Sequence, residues 1–229
     1  MKKSDFKTEG DFQYGDFPLF DYCYNEIVVE DVYGLRELKN RTRNSINTIL
    51  DLGGNIGIFA IYCRELFPKA RIISLEAVKD TYLLLKENTK DHNIESYNMA
   101  IGDGSILYLN QCPEHSGANQ VKRDPELANQ PEIQVQSYTL QNLFEDLEIE
   151  GPYAIKMDIE GSELFLYEDS TCHIYLKEAE YIAMEFHRLP EFEIDKPAWD
   201  KWLQKTCSDS IIEGLGGNEP GGLYRITRG

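Results

Sequence analysis

Four ionisable side chains sit where two short apolar runs end. Asp158 closes PYAIKMD (152–158) with Glu160 two residues on, and Glu185 and His187 fall at the end of EAEYIAMEF (178–186). Carboxylates and an imidazole can take a proton from a reacting hydroxyl, or hold a divalent cation that acidifies one. Residues two apart on a strand share a face, so Glu185 and His187 can point at one place. If the two runs are neighbouring parallel strands, all four groups gather at one rim. Two chemical readings stay open: His187 as general base, its ordinary pKa of about 6.5 suiting proton removal near neutrality, or Asp158, Glu185 and His187 as ligands of a divalent metal. A blander reading makes Asp158 and Glu160 caps of the helix that follows.

A second group of residues suggests a ligand. Asp51-Leu52-Gly53-Gly54-Asn55-Ile56-Gly57 ends an apolar run and opens a helical period. Glycines there let the backbone turn sharply and approach a bound molecule. The dinucleotide pattern G-x-G-x-x-G fails whether it is started at Gly53 or at Gly54, which argues against NAD. Glu76 ends the next apolar run, 19 residues after Gly57, where a carboxylate can accept from both hydroxyls of a ribose. Asp51 adds negative charge that repels a pyrophosphate but suits a sulfonium or an ammonium. Together these residues favour S-adenosylmethionine as the ligand.

The elements that must position these groups follow from periodicity. INTILDL (46–52) reads as a strand, and Ile56, Phe59, Ala60, Cys63 and Phe67 repeat at helical spacing up to Pro68. ARIISLE (70–76) is a second strand, and Asp80 is placed to cap a helix over TYLLLKENTKDH. SYNMAIG (96–102), PYAIKMD and EAEYIAMEF read as three further strands. Strands alternating with helices predict an α/β fold: a mostly parallel sheet with helices on both faces. IIEGLGG and GLYRITRG add an antiparallel C-terminal edge. Trp199 and Trp202, spaced i, i+3 after Pro197, anchor a helix to the core.

Residues 1–45 read as an accessory segment before a main domain over 46–229. Strand character is weak around Ile27–Val32, and Phe12, Tyr14, Phe17, Phe20, Tyr22 and Tyr24 suit a lid, a homodimer contact or plain packing. Residues 110–134 are polar with three prolines and read as a long loop. His92 and His115 read as solvated, His173 shows no partner, and Lys122-Arg123 is a solvated pair.

Across 229 residues, 41% hydrophobic and 28% charged composition describes a soluble globular chain. The net charge of −17 demotes nucleic acid as a partner, since phosphate contacts need clustered Lys and Arg. No apolar run can span a bilayer, and none follows Lys2 and Lys3 to make a secretory signal. Five cysteines without a C-x-x-C pair suggest reduced thiols, hence a cytoplasmic protein with no membrane partner.

Taken in order, ILDLGGNIGIFA, ISLEA, NMAIGD, IKMDIEGSE and AMEFH resemble the FkbM-type family of S-adenosylmethionine-dependent methyltransferases, over about residues 46–190. The resemblance implies a seven-stranded class I (Rossmann-like) methyltransferase fold and O-methylation of a hydroxyl on a sugar or natural-product type of small molecule. By position, Asp51, Gly53, Asn55 and Gly57 would line the methionine part and Glu76 the ribose. Ala100 and Ile101 would flank the adenine, with Asp103 close by. A non-catalytic cofactor-binding scaffold and an RNA methyltransferase are the competing expectations. Residues 1–45 and 110–134 match nothing in the family, so no acceptor is carried over.

Overall fold

Thr48–Leu52 is buried at every position, as a strand covered on both faces must be. It is β1, the middle of the sheet in a computed structural model that describes residues 18–42, 45–110, 121–122, 132–189, 192–215 and 222–229. Helix α1 (Pro18–Tyr24), a π-helical turn (Asn25–Glu30) and α2 (Leu35–Thr42) precede it. After β1 come α3 (Ile58–Leu66), β2 (Arg71–Leu75), α4 (Lys79–Thr89), β3 (Glu95–Tyr97), β4 (Ala100–Ile101), β5 (Ile106–Asn110), β6 (Val121–Lys122) and β7 (Glu132–Tyr138). The chain continues through α5 (Leu140–Asp146), β8 (Tyr153–Met157), α6 (Glu163–Glu168), α7 (His173–Glu178), β9 (Tyr181–Phe186), α8 (Lys196–Thr206), β10 (Ser210–Leu215) and β11 (Gly222–Arg228).

Seven strands form the main sheet in the order β10-β11-β9-β8-β1-β2-β3. The inner strands are parallel, and β11 runs antiparallel to both β9 and β10. The seven-stranded α/β sheet and its antiparallel C-terminal edge are therefore as expected. Alternation along β1 sorts the core into two layers. Ile49 packs with Phe59 and Cys63 on the α3 side, whereas Leu50 and Leu52 pack with Phe165 and Trp199 on the other. Trp199 and Trp202 are both buried, as their spacing implied.

Five local expectations are corrected. Ile27–Val32 is not a strand. Asn25–Glu30 is π-helical, because Ile27 and Val28 face the apolar groups of α3, and that packing overrides β propensity. Asp80 does not cap α4: Val78 holds the N-cap position, and Asp80 lies in the first turn. SYNMAIG is two strands, not one. The Asn98 amide donates to the Glu76 and Ala77 carbonyls at 2.9 Å, ending β3, and β4 joins a second sheet of order β4-β7-β5-β6. That second sheet also takes parts of the supposed loop 110–134, namely β6 and the start of β7. His115 and Cys112 lie outside the described residues, as do Phe12, Tyr14, Phe17 and Arg123. His173 does have a partner, since the Trp202 indole donates to its Nε2 at 3.3 Å. Among the described residues no helix is long and apolar enough to cross a membrane, and Cys23, Cys63, Cys172 and Cys207 are free thiols.

Candidate active site

From β1 the chain runs out to β2 and β3, then returns to β8 on the other side of β1. That reversal leaves a crevice beyond the carboxyl ends of β1 and β8, where open α/β sheets bind ligands. Gly53 makes the turn possible. Its φ is +85°, and a Cβ there would stand 1.8 Å from the Asp158 carbonyl oxygen. The Gly53 and Gly54 N–H groups both donate to the Leu75 carbonyl, at 3.0 and 2.7 Å, drawing the turn towards β2.

Beside the turn lies a cleft of about 670 Å³, open to solvent. Of the residues expected at the cofactor, Gly53, Asn55, Glu76, Ala100 and Ile101 line it. The Glu76 carboxylate is pre-aligned: Oε2 accepts from the Asn55 N–H at 3.0 Å and Oε1 from the Val78 N–H at 2.8 Å. Burial raises its pKa to about 7, with those two N–H bonds working in the opposite direction. The Asn55 side-chain oxygen is buried and finds no hydrogen-bond partner among the described residues.

Three expected cofactor residues lie elsewhere, for identifiable reasons. Asp51 is fully buried beneath the turn, its Oδ2 accepting from Ser74 Oγ at 2.7 Å and its Oδ1 lying 3.5 Å from Lys156 Nζ. Gly57, at φ +96°, brings the start of α3 within contact of Thr89 and Leu85 on α4. Asp103 is exposed and folds back to accept from the Ser105 N–H at 3.0 Å. None of the three is among the cleft-lining residues.

The rim forms as the strand ends require. Asp158 follows β8, Glu160 sits on a left-handed turn at φ 52°, Glu185 is on β9 and His187 follows β9. Neither Asp158 nor Glu160 caps α6, whose N-cap position is Ser162. His187 Nδ1 lies 2.8 Å from Oε1 of Glu163, a fully buried acid that also accepts from the His187 and Gly161 N–H groups. Its Nε2 faces Glu160, Glu185 and Asp158 at 3.6, 3.8 and 3.9 Å. Burial opposes the imidazolium, but Glu163, Glu160 and Asp158 outweigh it and raise the pKa to about 10. The carboxylates around both ring nitrogens favour the protonated imidazole, which weakens His187 in the general-base role expected of it. Burial raises Glu160 to about 8, and burial with the Asp158 charge raises Glu185 to about 7. Asp158, Glu185 and His187 each offer a ligand atom, all within 4.8 Å of one another.

Three further residues belong to this site and were not foreseen. Lys156 is 4% exposed, donates to the Gly53 carbonyl at 2.6 Å, and stands 3.5 Å from both Asp51 and Asp158. Burial opposes its charge, yet Asp158 and Asp51 hold its pKa above the ordinary value. A lysine inside the otherwise apolar YAIKM was the available signal, because a buried cation needs partners. Glu163 lies within IEGSE in the first turn of α6, a position that carries no distinctive signal. Tyr33 gave no signal at all: its hydroxyl donates to Glu185 Oε1 at 2.7 Å and lies 3.2 Å from Asp158 Oδ2, across 152 and 125 residues of chain.

A sequence model described as the Methyltransferase FkbM domain matches residues 51–206. "Methyltransferase 1" of Beauveria bassiana (strain ARSEF 2860) is 23% identical over 167 residues, covering 63% of this chain and 64% of that protein. The chain thus spans less than two thirds of that relative's length. Among solved structures, the bifunctional kinase-methyltransferase WbdD is similar with a TM-score of 0.53 and 11% identity, over 89% of this chain and 39% of that one. Magnesium protoporphyrin IX methyltransferase from Synechocystis PCC 6803, solved with bound SAM, gives a TM-score of 0.49 and 10% identity over 97% and 92% of the two chains.

Proposed function

The chain belongs to the FkbM methyltransferase domain family, and from that premise we propose that it moves the methyl group of S-adenosylmethionine to a hydroxyl of a sugar or natural-product type of small molecule. The observation that carries this is Glu76, a carboxylate aligned by two N–H groups on the wall of a cleft that opens onto the acidic rim. Its remaining lone pairs suit the two hydroxyls of a ribose. Ala100 and Ile101, backed by Leu109, offer the apolar surface an adenine needs. The unpartnered oxygen of Asn55 suits the ammonium of the methionine part. No Lys or Arg lines the cleft among the described residues, so it has nothing to hold a pyrophosphate, whereas Glu76, Asp158 and Glu160 favour a positive ligand.

Bound S-adenosylmethionine supplies a methyl group on a sulfonium, open to in-line displacement by an oxygen. Methylating an alcohol also requires that its proton be removed. Asp158 is the rim carboxylate that both lines the cleft and stands beside Lys156, and it takes that role. Lys156 fixes the distance between the glycine turn and Asp158, and His187 Nε2 faces Glu160 and Glu185. The donor set of Asp158, Glu185 and His187 also fits a divalent cation, which would lower the pKa of an acceptor hydroxyl. Loss of transfer on chelation, restored by magnesium, would favour that second reading.

Calorimetry with S-adenosylhomocysteine tests the assignment. The chain should bind it, and the absence of any heat would overturn the proposal. Glu76→Ala should weaken binding by roughly 10–100-fold, the loss of hydrogen bonds to a charged group. Because ribose hydroxyls bind the ionised carboxylate, affinity should fall as the pH drops below about 7, the value to which burial raises Glu76. In Glu76→Gln that part of the pH dependence should disappear.

A further inference from the structure

We propose that Tyr33 is a positioning residue of the transfer site, holding Asp158 and Glu185 as a fixed pair beside the acceptor hydroxyl; this rests on the methyltransferase reading above. Tyr33 lies outside the stretch that matches the family, in the segment between the π-helical turn and α2. Its side chain is 3% exposed, set edge-on to Phe59 with ring centroids 5.5 Å apart, and Lys156 Nζ is 5.7 Å from its ring centroid. Those contacts leave the phenol little choice of direction. The hydroxyl meets the ends of two neighbouring strands, donating to Glu185 on β9 with Asp158 after β8 as the longer arm.

The backbone around Tyr33 is clamped from β9 and β11. Tyr181 Oη on β9 donates to the Tyr33 carbonyl at 2.7 Å. The Arg225 guanidinium on β11 donates to the Val32 carbonyl at 3.0 Å and to that of Asp31 at 3.2 Å. Gly34 follows at φ +67°, and a Cβ there would stand 2.6 Å from the Tyr181 hydroxyl, so the clamp depends on a glycine. Asp31 caps α2 through the Leu35 and Arg36 N–H groups at 3.0 Å, which sets where the segment turns. Two adjacent carboxylates repel, and a glutamate has several rotatable bonds. A single fixed donor shared between them removes that freedom at the place where the acceptor must be aligned. Burial and the two carboxylates also raise the phenol's own pKa well above its ordinary value, so it remains a donor.

The imidazole of His187 reports on this arrangement, because its Nε2 is 3.8 Å from Glu185 and 3.9 Å from Asp158. The test compares ¹⁵N-imidazole spectra of the wild-type chain, Tyr33→Phe and Tyr181→Phe, with and without S-adenosylhomocysteine. In Tyr33→Phe the His187 Nε2 resonance should move by more than its linewidth, while those of His92 and His173 stay in place. S-adenosylhomocysteine affinity should be unchanged, and kcat for a hydroxylated acceptor should fall by at least about tenfold at constant KM. Tyr181→Phe, which keeps the Tyr33 hydroxyl but frees its carbonyl, should move the same resonance in the same direction by less. It decides the question if Tyr33→Phe does not fold. A His187 resonance that overlays wild type, with or without a lowered melting temperature, overturns the proposal. Failure of wild type to bind S-adenosylhomocysteine overturns the methyltransferase reading instead, and the spectra still decide whether Tyr33 places the two carboxylates.

Discussion

Replacing Asp158 with Asn should leave S-adenosylhomocysteine affinity near that of wild type and lower methyl transfer by about 10²–10⁴-fold, the range a positioned general base contributes. The amide is nearly isosteric and keeps an oxygen for Lys156, whose Nζ stands 3.5 Å away, so the glycine turn stays tied to β8. It cannot accept the acceptor's proton. Asp158 is preferred over its neighbours by placement. It lines the cleft, which Glu185 and His187 do not; Glu160 lines it too but faces His187, whereas Asp158 stands beside Lys156, and Glu163 is occupied by backbone N–H contacts. Transfer of radiolabelled methyl from S-adenosylmethionine to a hydroxylated acceptor measures the effect. A variant as fast as wild type would remove Asp158 from the chemistry. A His187→Gln variant that loses activity more severely than Asp158→Asn would return the imidazole to the base role that its surroundings now argue against.

Among the described glycines, Gly53→Ala should be the most damaging addition of a methyl group. The added carbon would fall 1.8 Å from the Asp158 carbonyl oxygen, and the residue would have to hold φ at +85°. Overpacking and left-handed strain together should cost about 2–6 kcal/mol, and relief can come only from parting the β1 and β8 ends. Because those ends form the crevice, cofactor heat should vanish along with the stability. Gly104→Ala is the control. Its φ of +88° carries similar backbone strain, but its nearest neighbour would be a Thr139 methyl at 3.9 Å, so it should cost about 1–2 kcal/mol. Denaturant midpoints of the two variants separate strain from collision. Equal losses would show that close approach to Asp158 does not determine the turn.

Much of the scaffold was legible because its signals are local. The buried runs at 48–52, 71–75, 153–157 and 181–186 each lie within one stretch of chain, and each is a strand. Gly53 and Glu76 could be placed because strand, turn and strand follow one another without interruption. Where a local signal met a tertiary demand, the reading failed. Ile27–Val32 has strand composition but packs as helix, and SYNMAIG divides where one asparagine side chain bonds two carbonyls. Asp51 shows the limit most clearly: its position before the glycines pointed to the ligand, yet Ser74 and Lys156 hold it beneath the turn.

By itself, the sequence determined the core strands of the main sheet and their alternation with helices, the sharp turn after β1, the acid at the end of β2 and the family these imply. Each depends on residues within a few positions of one another, where periodicity and glycine geometry act directly. The tertiary structure alone decided which carboxylates face the cleft, that carboxylates surround the His187 imidazole, and that a phenol from ahead of β1 reaches Glu185. Those outcomes are set by distances of a few ångströms between segments that lie from 24 to 152 residues apart, and by the sum of charges that folding brings to one rim. Spacing along a chain records neither.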